Sequence, residues 1–138
     1  MTRAIRIIHI ALVLGLVLIA GMFFVLRQRT GLMLGVGPFL GVVLAAIALV
    51  NLTLALGFLA PRLPRRPADQ SPDDYWMRNE TRGAAIILWA LVEGAGLLSW
   101  IGYLLTGAWV PAAVGVLAVA ALALLGPARF EGSSGERV

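Results

Sequence analysis

Four long apolar runs govern what this chain can fold into: residues 5–26, 35–60, 83–106 and 109–125 of a 138-residue sequence. A helix that crosses a bilayer needs about 20 apolar residues. The first three runs exceed that length, and the fourth sits at its lower limit. Their apolar residues fall in blocks, not at the amphipathic spacing of a soluble helix. They are also too long for barrel strands and show no in–out alternation, which leaves helix as the form that satisfies the backbone in lipid. The expected fold is an all-α, polytopic membrane protein, a single transmembrane domain over 1–138.

Composition supports that class. Charged residues make up 13% of the chain, against about a quarter in a soluble domain. Cysteine is absent, which excludes disulfides, thiolate metal sites and a cysteine nucleophile. His9 is the single histidine, so no histidine-rich metal site exists. No nucleophile–base pair and no phosphate loop can be picked out. The chain is therefore expected not to be an enzyme and to need no cofactor.

Every basic side chain is arginine. With the high Ala, Gly, Leu and Val content, this looks like the coding bias of a GC-rich bacterium. The expected location is the bacterial inner membrane. The net charge of +4 does not imply nucleic-acid binding, because the arginines cluster at the ends of apolar runs. With four spans, the N-terminus, the 61–82 linker and the 127–138 tail share one side, which holds nine arginines against two (Arg27 and Arg29) on the other. The positive-inside rule then puts both termini in the cytoplasm. Arg3 and Arg6 before an apolar run resemble a signal peptide. That run is long for a signal core and no A-x-A pattern follows it, so an uncleaved first helix is expected.

Short turns at 27–34 and 106–108 imply two helical hairpins. Pro111 falls in the first turn of the last helix, where its missing N–H costs little. In the linker, three prolines from Pro61 to Pro67 break regular helix, and the arginines there suit anionic headgroups. Ser71 is a good N-cap, Pro72 fits the first helical position, and Asp73 and Asp74 favour the positive helix end. That helix is expected to run into the third span, with a bend near Gly83. Arg62, Arg65, Arg66, Trp76, Arg82 and Trp109 are expected as interfacial anchors, and Tyr103 as part of an outer aromatic belt.

One acid lies inside an apolar run: Glu93. A charge at that depth costs roughly 2.5 kcal/mol or more, so such residues tend to face protein or water. Glu93 lies eleven residues from Arg82, or about 16 Å from the membrane edge at the helical rise. Asn51 lies eleven residues before Arg62 on the preceding span. The two are expected at similar depth, with Asn51 a candidate donor to Glu93. His9 is nearer the edge and is expected as an interfacial histidine. Trp89 and Trp100 flank Glu93 in depth, and either shield it or face lipid. Small residues mark candidate packing seams: Gly37 and Gly41 on the second span, Ala90 and Gly96 on the third.

Glu93 admits two readings. A neutral carboxyl that hydrogen-bonds across a helix interface makes the chain a structural or accessory subunit of a homo-oligomer or larger membrane complex. A carboxyl that binds and releases a proton or cation makes it a transporter or rotor-like element. The stretch Ala11-Leu12-Val13-Leu14-Gly15 matches Ala90-Leu91-Val92-Glu93-Gly94. It suggests two duplicated hairpins with only one acidic site.

The segment Ile87-Leu88-Trp89-Ala90-Leu91-Val92-Glu93-Gly94-Ala95-Gly96-Leu97 resembles the carboxylate helix of rotary ATPase proteolipid subunits. In that family the matching glutamate binds the transported ion, and the resemblance implies a protonatable Glu93. It covers under a tenth of the chain. Glu93 lies on the first helix of its hairpin, whereas the proteolipid carboxylate lies on the second. Glu93-Gly94-Ala95-Gly96 also resembles the E-x-x-G segment of small multidrug transporters. As a whole, the chain looks like the small four-helix bacterial membrane proteins.

Overall fold

The computed structural model describes residues 1–31 and 36–132. Gly35, the expected start of the second span, and tail residues 133–138 lie outside the described residues. Six α-helices account for most of the rest: α1 (Thr2–Thr30), α2 (Pro38–Leu54), α3 (Pro72–Met77), α4 (Asn79–Thr106), α5 (Trp109–Leu124) and α6 (Pro127–Glu131). Helix α2 continues through a π turn at Ala55–Leu59 and a 3-10 turn at Ala60–Arg62. Among the described residues there is no strand.

Among the described residues, three helices are long and apolar enough to cross a membrane: Thr2–Thr30, Pro38–Arg62 and Asn79–Thr106. Helix α5 is equally apolar but has 16 residues, about 24 Å at the helical rise.

The helix ends follow local chemistry. The side chain of Ser71 accepts from the Asp74 N–H at 3.1 Å, and Pro72 opens α3. The expected bend falls at Arg78, whose extended backbone (ψ 119°) separates α3 from α4, and not at Gly83. Gly107 ends α4 with φ 68° and donates to Tyr103 O at 2.7 Å. The positive φ is what requires glycine here, and a Cβ would also displace the Arg27 guanidinium, 2.5 Å from it.

Helix α4 is the hub, packing against α1, α2 and α5. The α4–α5 hairpin forms as expected. Helices α1 and α2 each pack mainly on α4 and make little contact with one another, and the expected turn between them lies partly outside the described residues. The reason lies in their small residues. Gly41, Ala45 and Ala48, with Leu52, are the buried face of α2, and a Cβ on Gly41 would lie 2.7 Å from Thr106 Oγ1 of α4. Leu16 of α1 fills the space over Gly96, where a Cβ would sit 2.7 Å from its Cδ2. Gly102 admits Leu44 and Pro111, and Gly115 of α5 admits the Trp100 indole. Lipid tails are as apolar as these side chains, so close packing of this kind holds such helices together. Gly37 and Ala90 are exposed and take no part in it. The two halves of the chain thus pack differently despite their local sequence match.

Gly115→Ala is expected to destabilise the fold by about 1–3 kcal/mol, because its Cβ would meet a buried ring. Gly94, with open space beside it, should accept alanine without loss. Thermal unfolding in detergent distinguishes the two variants.

Candidate functional site

Glu93 is half-buried on α4. One turn away on either side, Trp89 and Gly96 face α1: Trp89 packs on His9 with ring centroids 4.9 Å apart, and Gly96 meets Leu16. Glu93 therefore borders the α1–α4 seam. On its other side runs an exposed stripe containing Ile86, Ala90 and Ile101. Among the described residues, no hydrogen bond or ion pair reaches its carboxyl.

Asn51 is also half-buried, but the structure does not bring it to Glu93. Helix α2 meets α4 at Gly102 and Thr106. Glu93 and Gly102 are nine residues apart, which turns them about 180° from each other around the helix. Thr53 donates back to Leu49 O of its own helix at 2.8 Å.

The flanking tryptophans are core residues and do not face lipid. Trp89 is fully buried and donates from Nε1 to Leu125 O at 2.8 Å. Trp100 is buried against Tyr103, edge to face at 5.8 Å. Tyr103 is itself buried rather than part of an interfacial belt. Its hydroxyl accepts from Gln28 Nε2 at 3.4 Å.

Most of the polar chemistry gathers at the end of the molecule where Met1 and α6 meet. Glu131, expected in a polar tail, is only 7% exposed. Its Oε2 accepts from Arg6 Nη2 at 2.8 Å, and its Oε1 from Trp76 Nε1 at 2.9 Å. Arg66 donates from Nε to Glu131 O at 2.8 Å, and from its backbone N–H to Phe130 O at 3.1 Å. A third Arg66 bond reaches Gln70 O. The phenol of Tyr75 donates to Pro64 O. Burial pushes that phenol up from its ordinary pKa, and the Glu131 carboxylate adds to the effect.

His9 belongs to this cluster as well. It is buried, and its Nε2 lies 2.8 Å from Leu122 O. A carbonyl can only accept, so the proton sits on Nε2. Together His9 and Trp89 serve carbonyls at the C-terminal end of α5, groups a helix cannot pair internally.

The expected anchors and the other terminal arginines differ in their surroundings. Trp76 is fully buried, and Arg66 ties the linker to α6. Arg82 donates to Asn79 Oδ1 at 2.7 Å. Arg27 reaches Leu104 O at 3.2 Å and Thr106 O at 3.4 Å, capping α4. Arg62, Arg65 and Trp109 are exposed. Glu131 gave no signal in the sequence, because its partners lie as far as 125 residues away.

Compared with known proteins, the chain matches no family model, no curated protein and no solved structure.

Glu131→Ala should destabilise the protein by about 1–3 kcal/mol, because it leaves a buried indole N–H and a guanidinium unpaired. Glu131→Gln keeps an acceptor for Trp76 and should cost less. Protease cleavage within 64–71 should rise in the same order.

A separate link is pH-sensitive. Asp73 Oδ1 accepts from the Thr2 hydroxyl at 2.6 Å and the Thr2 N–H at 2.9 Å. These bonds, with the terminal ammonium at 3.5 Å, hold the carboxyl down from 3.8 to about 2. A depressed acid stabilises the fold above its unfolded value, so the link is complete above about pH 4 and lost as pH falls to about 2. The Thr2 amide resonance should titrate with a midpoint near 2, and Asp73→Asn should abolish that titration.

Proposed function

We propose that this chain is a structural or accessory subunit that packs through its spans into a homo-oligomer or a larger membrane complex. The observation that carries this reading is Glu93, a mid-helix carboxyl with no partner among the described residues, beside an exposed stripe that includes the small Ala90. A polar group at membrane depth is costly when unpaired. A donor from a second helix, reaching α4 over Ala90, would satisfy it.

The proposed topology has four spans, with α5 as the shortest. Its length deficit can be met by local thinning of the bilayer. Both termini are assigned to the cytoplasm on the excess of arginine at that end, and the proposed location is the bacterial inner membrane.

The same open carboxyl favours a second reading, a proton- or cation-coupled element in which Glu93 exchanges the ion.

One set of measurements separates the two. In a mild detergent the wild-type particle should be larger than the 14.6 kDa chain. Interhelical hydrogen bonds in membranes contribute about 0.6–2 kcal/mol, so Glu93→Leu should weaken assembly by roughly 3- to 30-fold. A stable wild-type monomer without partners would overturn the subunit reading. The ion-coupled reading requires vesicle flux that Glu93→Gln abolishes, and no flux from the wild type would sink it.

A further inference from the structure

Two cavities join on the outer side of α2 and α5. The first, of about 620 Å³, is an apolar groove between these helices, with Leu49 and Leu52 on one wall and Leu117 and Leu124 on the other. The second, of about 590 Å³, lies at the end of the groove and carries Arg62, Arg65 and Arg129. Leu56 and Arg129 line both, so the two spaces adjoin. Among the described residues, no acidic side chain lines either one.

The three arginines form no ion pair among the described residues. Arg62 is stacked over the Phe58 ring at 3.6 Å. A cation over a ring face keeps its N–H groups as donors, so this contact is compatible with a further anionic acceptor. The π turn at Ala55–Leu59 falls where the groove passes into the basic cavity, and such turns recur at functional sites. Gly57 lines the groove with open space beside it. From Leu49 to Gly57 the groove runs about 12 Å, close to the depth of one leaflet.

We propose that this composite cavity binds an anionic phospholipid, with its phosphate between Arg62, Arg65 and Arg129 and an acyl chain along the α2–α5 groove. A free anion would leave the apolar groove unfilled, and a neutral lipid would leave the arginine N–H groups without an anionic acceptor. Only a ligand with both parts matches the whole surface. The assignment requires the chain to lie in a bilayer. It does not depend on Glu93 or on a subunit role.

The test uses the full chain in a non-ionic detergent, offered equal amounts of phosphatidylglycerol and phosphatidylcholine with matched acyl chains. Native mass spectrometry reads the lipid retained. Phosphatidylglycerol should be held preferentially. Each arginine is expected to contribute roughly 5-fold, so Arg129→Gln alone should give a loss of that size and R62Q/R65Q/R129Q a larger one. The control R3Q/R78Q, at exposed arginines outside both cavities, should keep the preference. Millimolar inorganic phosphate should not displace the lipid. Ala120→Trp, which fills the groove, should lower retention of both lipids. Circular dichroism checks that each variant is folded, and the single Arg129 variant carries the test if the triple one is not. Equal retention of the two lipids by the wild type would overturn the proposal, as would an equal loss in the control pair. Displacement by phosphate would show a free-anion site instead. A chain that stays soluble without detergent would sink the membrane reading itself, a result distinct from a detergent-soluble chain with no lipid preference.

Discussion

Close approach to α4 is the constraint on which the rest of the structure depends. Within lipid, burying one apolar helix against another gains little from the hydrophobic effect, so contact must come from fit. Helix α4 provides that fit through Gly96 and Gly102, and its neighbours answer with Gly41 and Gly115. The large rings of Trp89, Trp100 and Tyr103 fill the space that remains. This arrangement gives α4 three partners and leaves α1 and α2 attached to it from different sides. The open stripe that borders Glu93 lies between those two attachments.

The helix ends need a second kind of interaction. Backbone carbonyls in the last turn of a helix have no internal donor, and leaving them unpaired at low polarity is costly. Here side chains distant in sequence supply the donors. Arg27 serves the end of α4, and His9 and Trp89 serve the end of α5. Each such bond also fixes one helix against another, so capping and tertiary packing are the same event. Glu131 extends the pattern outward by joining α1, α3 and the linker through Arg6, Trp76 and Arg66.

The sequence disclosed what is local. The apolar runs, the Ser71–Pro72 helix start and the Thr106-Gly107 turn follow from length, capping and backbone freedom, and all three are present. What it hid depends on convergence. Trp76 and His9 look interfacial by position but are buried, because α6 and α5 close over them. Glu131 sits in a segment that composition marks as a polar tail. The pairing of Asn51 with Glu93 failed for a geometrical reason. Counting residues along a helix fixes depth, since the rise is constant. Rotation about the helix axis is set by which small residues meet, and that information lies in the neighbouring helices.

Rotation also separates the two unmet chemical demands on this surface. Glu93 looks out beside α1, at mid-helix, where the surrounding phase offers no donor. Arg62, Arg65 and Arg129 lie beyond α2 and α5, at a helix end, where the proposed topology puts headgroup phosphates. An acid in the middle of a span can be satisfied only by another protein group, water or an ion. Arginines at the edge can be satisfied by the lipid itself. On the proposed readings, the same membrane would complete one face of the molecule and leave the other to a partner or an ion. With α4 and its neighbours between them, each face can be altered without touching the other.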